Sequence, residues 1–440
     1  MTPPMDRREF MKQGTAAGIG LGMFGMPNVA RRRNALDTVS VAVMGVNSRG
    51  HVLAESFAGA AGAEVVAICD VDSRATSKTV AAVAERQDRV PAGMTDFRRA
   101  LEDSNVDALV IAAPDHWHTP AALMALQAGK HVYLEKPCSH NPHEGELLVE
   151  AQAKYDRVVQ MGTQQRSAPR SIDVIAEIHN GLIGRAYFAR AWYANTRGPI
   201  GNGRQAAVPT WLDYELWQGP APRTPYRDNV IHYNWHWFWR WGTGEVNNNG
   251  THEIDMCRWA LDVEYPSRVT SAGGRYHEKD DWEFYDTQVC SFDFAGDKTI
   301  TWEGRSCNGR PLEGRGRGAS IHGDDGTVVI DRSGYVVYDH DNKEIKRSIQ
   351  GGNEATLDTR GGGSLTDLHI ANFLGSVRGE ATPTAPIHEG RKSQLLCHLA
   401  NIAQRTGDTL TLDGARLVNA SARAQAMWSR DYEPGWEPTA

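Results

Sequence analysis

Residues 39–50 read VSVAVMGVNSRG, and the parsing of that stretch decides the fold. The apolar, β-branched run 38–44 has the make-up of a strand buried on both faces. It stops at Gly45, and a helical pattern then runs to about residue 61. A strand, a tight glycine turn and a helix form the unit that cradles phosphates. The first N–H groups of such a helix lack partners, and its dipole end is positive. Gly45 permits the turn, and Gly50 lets the helix approach the strand. Asn47 stands where a G-x-G-x-x-G pattern has its middle glycine; asparagine tolerates left-handed backbone but adds atoms near the phosphates. Gly45, Val46, Asn47, Ser48 and Arg49 are the expected pyrophosphate cradle. A second strand over 64–69 ends at Asp70, about 20 residues on, where an acid meets the ribose. That carboxylate accepts from both ribose hydroxyls and repels a 2′-phosphate, which favours NAD; Arg74 nearby leaves NADP open.

The alternation continues outward. Helical patterns run to about residue 84 and over 97–103, a third strand covers 108–113, a helix 120–128, and a fourth strand 131–134. Strands and helices at this spacing predict a parallel sheet covered on both faces. After the fourth strand comes Glu135-Lys136-Pro137. A lysine at a strand's C-terminal end lies on the edge where such sheets bind ligands, and desolvation there lets it exchange a proton. The proline fixes the backbone beside it, with a cis Lys136–Pro137 bond as one option.

A chain of 440 residues predicts more than one domain. Its net charge of −7 and the lack of a basic block beyond the N-terminus argue against nucleic acid as a partner. Arg7 and Arg8 precede a small, Gly/Ala-rich apolar run over 14–30, the pattern of a twin-arginine export signal. That run is too short and too glycine-rich for a typical membrane span. Region 1–35 is therefore read as a signal and the location as periplasmic. Export of a folded protein implies a cofactor loaded beforehand and tightly bound. The six cysteines include no C-x-x-C pair, so they are read as buried thiols rather than metal ligands or disulfides, and no metal is expected.

In order and spacing, GVNSRG (45–50), CDVD (69–72), APDHWH (113–118), EKP (135–137) and GTQQRS (162–167) resemble the Gfo/Idh/MocA oxidoreductases. The resemblance extends through 369–373 and 395–402. It implies an α/β Rossmann domain (36–160) with a parallel sheet, followed by an α+β domain (161–440) on an open, mostly antiparallel sheet. The last helices are candidates to pack back on the first domain. One face of the second sheet would meet the nicotinamide, and the other would form a homo-oligomer interface. The resemblance also implies that Lys136 contacts the reacting hydroxyl and that Glu135, Pro114 and His118 surround the nicotinamide ribose. Many relatives add an Asp and, four residues later, a His on one helix face after a Gly-rich turn. Here Gly242 to Gly244 supplies the turn and His252 the histidine, but Asn248 stands where the Asp is expected. Neutral Asn248 can orient His252 without stabilising its charge, which leaves more of the proton work to Lys136 and makes His252 either a neutral base or, with Asn248, a group that positions the substrate's hydroxyls. Asp255, one turn on, is an alternative partner for His252.

Strands are also predicted over 187–193, 269–273, 286–294, 298–302, 321–323 and 327–330. The long insertion 198–233 is expected near the substrate cleft, a surface or oligomer role being the alternative. Trp235, Trp237, Trp239 and Trp241 share a face only in an extended segment, with His236 and Arg240 opposite. That arrangement would make Trp235 and Trp237 a platform for a sugar ring, with His236 reaching its hydroxyls and Arg166 reaching either those hydroxyls or the cofactor. The expected activity is NAD(P)-dependent oxidation of a sugar, polyol or glycoside. The alternatives are a redox-neutral glycosidase working through a transient 3-ketone and a non-catalytic sugar-binding protein.

Overall fold

The structure is a computed structural model that describes residues 38–349 and 363–440. The export pattern at 1–35 lies outside the described residues. Six strands form the first sheet: β1 (Val39–Met44), β2 (Ala63–Cys69), β3 (Ala92–Met94), β4 (Ala108–Ile111), β5 (His131–Leu134) and β6 (Val159–Met161). Their order is β3-β2-β1-β4-β5-β6 and every pair is parallel, so Val43 sits between Ile68 and Val110. The continuous apolar runs of β1 and β4 follow from cover on both faces. On one face Leu53 and Phe57 of helix Arg49–Ala58 join Val41, Val43 and Tyr133. Phe373 of helix Ser364–Arg378 packs edge-on against Phe57 and Tyr133, so a late helix completes this early core.

The second sheet has ten strands: β7 (Ala186–Ala194), β8 (Arg268–Gly274), β9 (Thr287–Phe294), β10 (Lys298–Arg305), β11 (Arg317–Gly323), β12 (Thr327–Asp331), β13 (Gly334–Tyr338), β14 (Glu344–Ile349), β15 (Leu410–Asp413) and β16 (Arg416–Val418). The order is β14-β13-β12-β11-β7-β10-β9-β8-β15-β16, with β7 and β10 parallel and the other described pairings antiparallel. Inward residues alternate along β9, where Cys290, Phe292 and Phe294 are buried and Val289 is exposed. Against this inner face lies helix Thr251–Leu261, whose Ile254, Cys257 and Leu261 share a core with Ala191, Ile300 and Trp302. Burial of each of the isoleucines and the leucine in that core contributes roughly 1.5–3 kcal/mol. Five of the six cysteines are buried and all six are free.

The tryptophan run is not extended, contrary to the period-two reading. Tyr233 has φ +79°, Asn234–Trp237 is a 3₁₀ turn, and backbone bonds Phe238 N–H to Trp235 O and Gly242 N–H to Phe238 O keep the chain coiled. The four indoles scatter: Trp235 stacks on His236, Trp237 on Trp282, Trp239 packs against Phe284 and Trp241 against Trp217.

Candidate active site

The C-terminal edge of the first sheet opens into a cavity of about 560 Å³. Its floor is the turn after β1. Gly45 has φ +81°, and a Cβ there would lie 2.4 Å from the Ala113 nitrogen, so the turn can approach β4 only with glycine. Gly45, Asn47, Ser48 and Arg49 line the cavity. Ser48 caps the following helix without a side-chain hydrogen bond, leaving that end available to an anion. Val46 departs from expectation: its side chain is buried in the sheet core, and its N–H donates to Asp70 Oδ2 at 2.6 Å. Asp70 also accepts from Asp72 N–H at 2.8 Å and borders the cavity; burial raises its pKa, and these two amides act against that. A glycine-only turn, a helix end with no side-chain capping bond and an oriented carboxylate at the end of β2 fit a dinucleotide.

Pro114, His118, Glu135 and Lys136 line the same cavity. His118 has Nδ1 at 2.5 Å from Pro137 O and Nε2 at 2.8 Å from Ala113 O, which ties the loops after β4 and β5 together. Glu135 accepts from Arg49 Nε at 2.9 Å and Gln164 Nε2 at 3.0 Å. The Lys136–Pro137 bond is cis. Lys136 Nζ donates to the Asn248 carbonyl at 2.7 Å and to Asn248 Oδ1 at 3.1 Å. Burial lowers the Lys136 pKa, while Glu135 and Asp115 raise it and Arg317 and Arg332 lower it further.

The three asparagines shape the ground under Lys136. Val246–Gly250 is a π turn that runs directly into helix Thr251–Leu261. Asn247 Nδ2 bonds Thr243 O at 2.9 Å and Asn249 Nδ2 bonds Glu245, while Gly250 lets the turn pass close to the Trp302 ring. Local π geometry of this kind recurs at functional sites. It puts Asn248 and His252 on the cavity wall. Burial, then the Arg332 and Arg317 charges, hold the His252 pKa well below the usual imidazole value. Its Nε2 lies 3.5 Å from Arg332 Nη2. Arg332 is itself lowered to about 9, chiefly by burial and then by Arg317.

Three expectations are corrected. Arg166 does not border the cavity: it forms a buried two-pronged pair with Asp255, Nε to Oδ2 at 2.7 Å and Nη2 to Oδ1 at 2.9 Å. Asp255 is therefore spent on Arg166 and Ser393 and does not orient His252. Trp237 is buried against Trp282; of the four alternating tryptophans only Trp235 lines the cavity, beside His236. Burial holds the His236 pKa well below the usual value.

Several lining residues lacked a sequence signal. Tyr193 and Asn195 at the end of β7, with Arg197 and Tyr233, form a hydrogen-bonded polar wall: Asn195 Nδ2 to Tyr193 Oη at 2.6 Å and Arg197 Nη1 to Tyr233 Oη at 2.7 Å. Asp115, the first residue of helix Asp115–Gln127 after β4, accepts from Thr243 Oγ1 at 2.5 Å and joins the Gly-rich turn to the first domain. The insertion 198–233 reaches the cavity through Leu216, Trp217, His232 and Tyr233. Among the described residues there is no group of three or more His, Cys, Asp or Glu arranged to hold a metal, and no helix long and apolar enough to cross a membrane.

Two models of one oxidoreductase family match the chain: its NAD-binding Rossmann fold over residues 39–163 and its C-terminal alpha/beta domain over 219–412. A glycosyl hydrolase family 109 protein of Saccharopolyspora erythraea is 30% identical over 210 residues, 43% of this chain and 46% of that protein. The chain thus spans less than half the length of the glycosyl hydrolase relatives it matches first. An inositol 2-dehydrogenase of Rubrobacter xylanophilus is 26% identical over 300 residues, 68% of this chain and 73% of that one. In fold, the chain is similar to the WlbA dehydrogenase of Bordetella pertussis, solved with NADH and UDP-GlcNAcA. The TM-score is 0.61 at 22% identity, over 86% of this chain and 99% of that one.

Proposed function

The chain belongs to the Gfo/Idh/MocA family of oxidoreductases, and on that premise we propose that it is an NAD-dependent oxidoreductase acting on a sugar, polyol or glycoside. The observation that carries the reading is Lys136 Nζ, held by both oxygens of Asn248 at the wall of the nucleotide cavity. Gly45, Asn47, Ser48 and Arg49 would hold the pyrophosphate and Asp70 the ribose. NAD is favoured over NADP because Arg74 is committed to Asp72, at 2.8 Å, and to the Trp211 ring. Bound NAD would supply the hydride acceptor. Lys136, its proton loosened by burial, takes the hydroxyl proton as the carbinol carbon loses hydride, and returns it in the reverse direction. Neutral His252 orients a neighbouring hydroxyl, and the Tyr193–Asn195–Arg197–Tyr233 wall offers donors and acceptors suited to a polyhydroxylated ring.

A second reading is redox-neutral glycoside cleavage, favoured by the family 109 relative. In it a transient 3-ketone acidifies the neighbouring C–H, the aglycone is eliminated, water adds, and the ketone is reduced again. An exported chain suits this reading, because free NAD is not expected outside the cytoplasm. Periplasmic location and self-association through the outer face of the ten-stranded sheet belong to the same proposal.

Mass spectrometry of nucleotide released from the purified protein is the first test. A chain with neither bound nucleotide nor NAD affinity leaves only sugar binding. With NAD present, aryl glycosides in deuterated water separate the two chemistries. Deuterium at C2 with aglycone release identifies glycoside cleavage; a stable ketone identifies net oxidation.

A further inference from the structure

In an open parallel sheet, a ligand lying over the ends of β1 and β2 has protein beneath it and solvent above. Here the space above is filled. The cavity beyond Asp70 is bounded by Val71, Thr95 and Phe97 from the segments that follow β2 and β3 and by Leu216, Trp217 and His232 from the insertion 198–233. The insertion is fastened to the first domain on both sides of that space. Asp213 N–H donates to Val71 O at 3.0 Å, Ser73 N–H donates to Trp211 O at 3.0 Å, and Asp72 and Leu212 form an antiparallel bridge. The His232 Nε2 lies 3.0 Å from Asp72 Oδ2, and the Arg74 guanidinium sits 3.5 Å over the Trp211 ring. Farther along, Trp117 Nε1 donates to Trp217 O at 3.0 Å, and His116 Nε2 lies 2.9 Å from the same oxygen. The insertion then turns at Gly219, with φ +44°, where a Cβ would meet the Trp117 ring at 1.9 Å. This end of the cavity presents Val71, Phe97, Leu216 and Trp217, apolar and aromatic side chains of the chemistry that suits a purine ring.

We infer that segment 198–233 is the outer wall of the nucleotide site, a strap that must lift before the adenosine half of the cofactor can leave. The inference rests on the NAD-binding reading above. It makes cofactor retention a property of this insertion rather than of the phosphate turn alone. The phosphate turn, with Asn47 in place of glycine, supplies affinity; the strap sets the rate of exit.

The test measures exchange of protein-bound NAD for isotope-labelled NAD, followed by mass spectrometry of the nucleotide released at intervals. The proteins are the full chain and two variants, Trp211→Ala, which removes the ring under Arg74, and Gly219→Ala, which forces the strap off Trp117. Circular dichroism establishes that each variant is folded. The variants are expected to exchange at least about tenfold faster than the parent, an effect on the exit rate. A measurement needing no variant is trypsin cleavage at Arg204, Arg223 and Arg227, which NAD is expected to slow. Equal exchange rates in parent and folded variants, or cleavage indifferent to NAD, overturns the strap while leaving NAD-dependent chemistry intact. Absence of any NAD affinity overturns both.

Discussion

At the residue scale the site turns on Asn248, whose two oxygens hold the ammonium of Lys136. Being neutral, it adds no charge to resist the lowering that burial imposes on the lysine. Asn248→Asp is therefore expected to raise the Lys136 pKa. The alkaline-rising limb of kcat/KM for oxidation should then move up by about one pH unit, with roughly tenfold lower activity at neutral pH. A pH–rate profile unchanged by the substitution would separate Asn248 from the proton step. Lys136→Met should lower kcat by roughly 10²–10⁴-fold while NAD affinity, read by titration, changes little. The positions of Lys136 and Asn248 were legible in the sequence, because a strand end and a Gly-rich turn are local signals. The bond between them was not, since it joins residues 112 apart. Arg332 beside His252 was equally hidden, lying on the turn between β12 and β13 with no motif around it.

At the scale of elements, β1, β2, β4 and β5 of the first sheet were readable because their apolar runs are unbroken, and β5 was found at its observed bounds, His131–Leu134; the three-residue β3 and β6 are too short to carry a pattern and were not read. The segment 234–241 shows the limit of periodicity. Its alternating tryptophans satisfy a strand pattern, yet each indole finds a different partner and the backbone bonds close short turns instead. GTQQRS misled in another way. Arg166 is in a functional motif but acts as a brace, locking the turn after β6 to helix Thr251–Leu261 through Asp255. Breaking that buried pair with Arg166→Ala should cost about 3–5 kcal/mol of stability, measured by denaturant unfolding. The double change Arg166→Met with Asp255→Leu should recover much of the loss. A substrate-contact role would instead raise KM without a stability change of that size.

At the scale of the whole molecule, burial keeps many histidines neutral. It holds His116 and His398 at about 3 and His131 and His369 at about 4, each below the usual imidazole value. In the unfolded chain these groups bind protons below about pH 6.5, whereas in the folded chain they do not. The unfolded state therefore binds more protons, and stability falls as pH drops from 6.5 toward 4. Each histidine contributes about 1 kcal/mol of loss at one unit below 6.5. Lowered carboxylates such as Glu389, at about 2, add a loss of the same sign at lower pH. Thermal midpoints across pH 4–7 check this, and a flat profile would contradict it. Another consequence concerns light rather than heat. Trp117, Trp217 and Trp235 all line the cavity. Indole emission overlaps the absorption of a reduced nicotinamide ring, so a cofactor held among these rings would quench them when reduced and release them when oxidised. Net oxidation would leave the protein's intrinsic fluorescence dimmed after a single turnover. A reaction that returns its hydride would restore the starting brightness, so the aromatic lining distinguishes the two chemistries without a label.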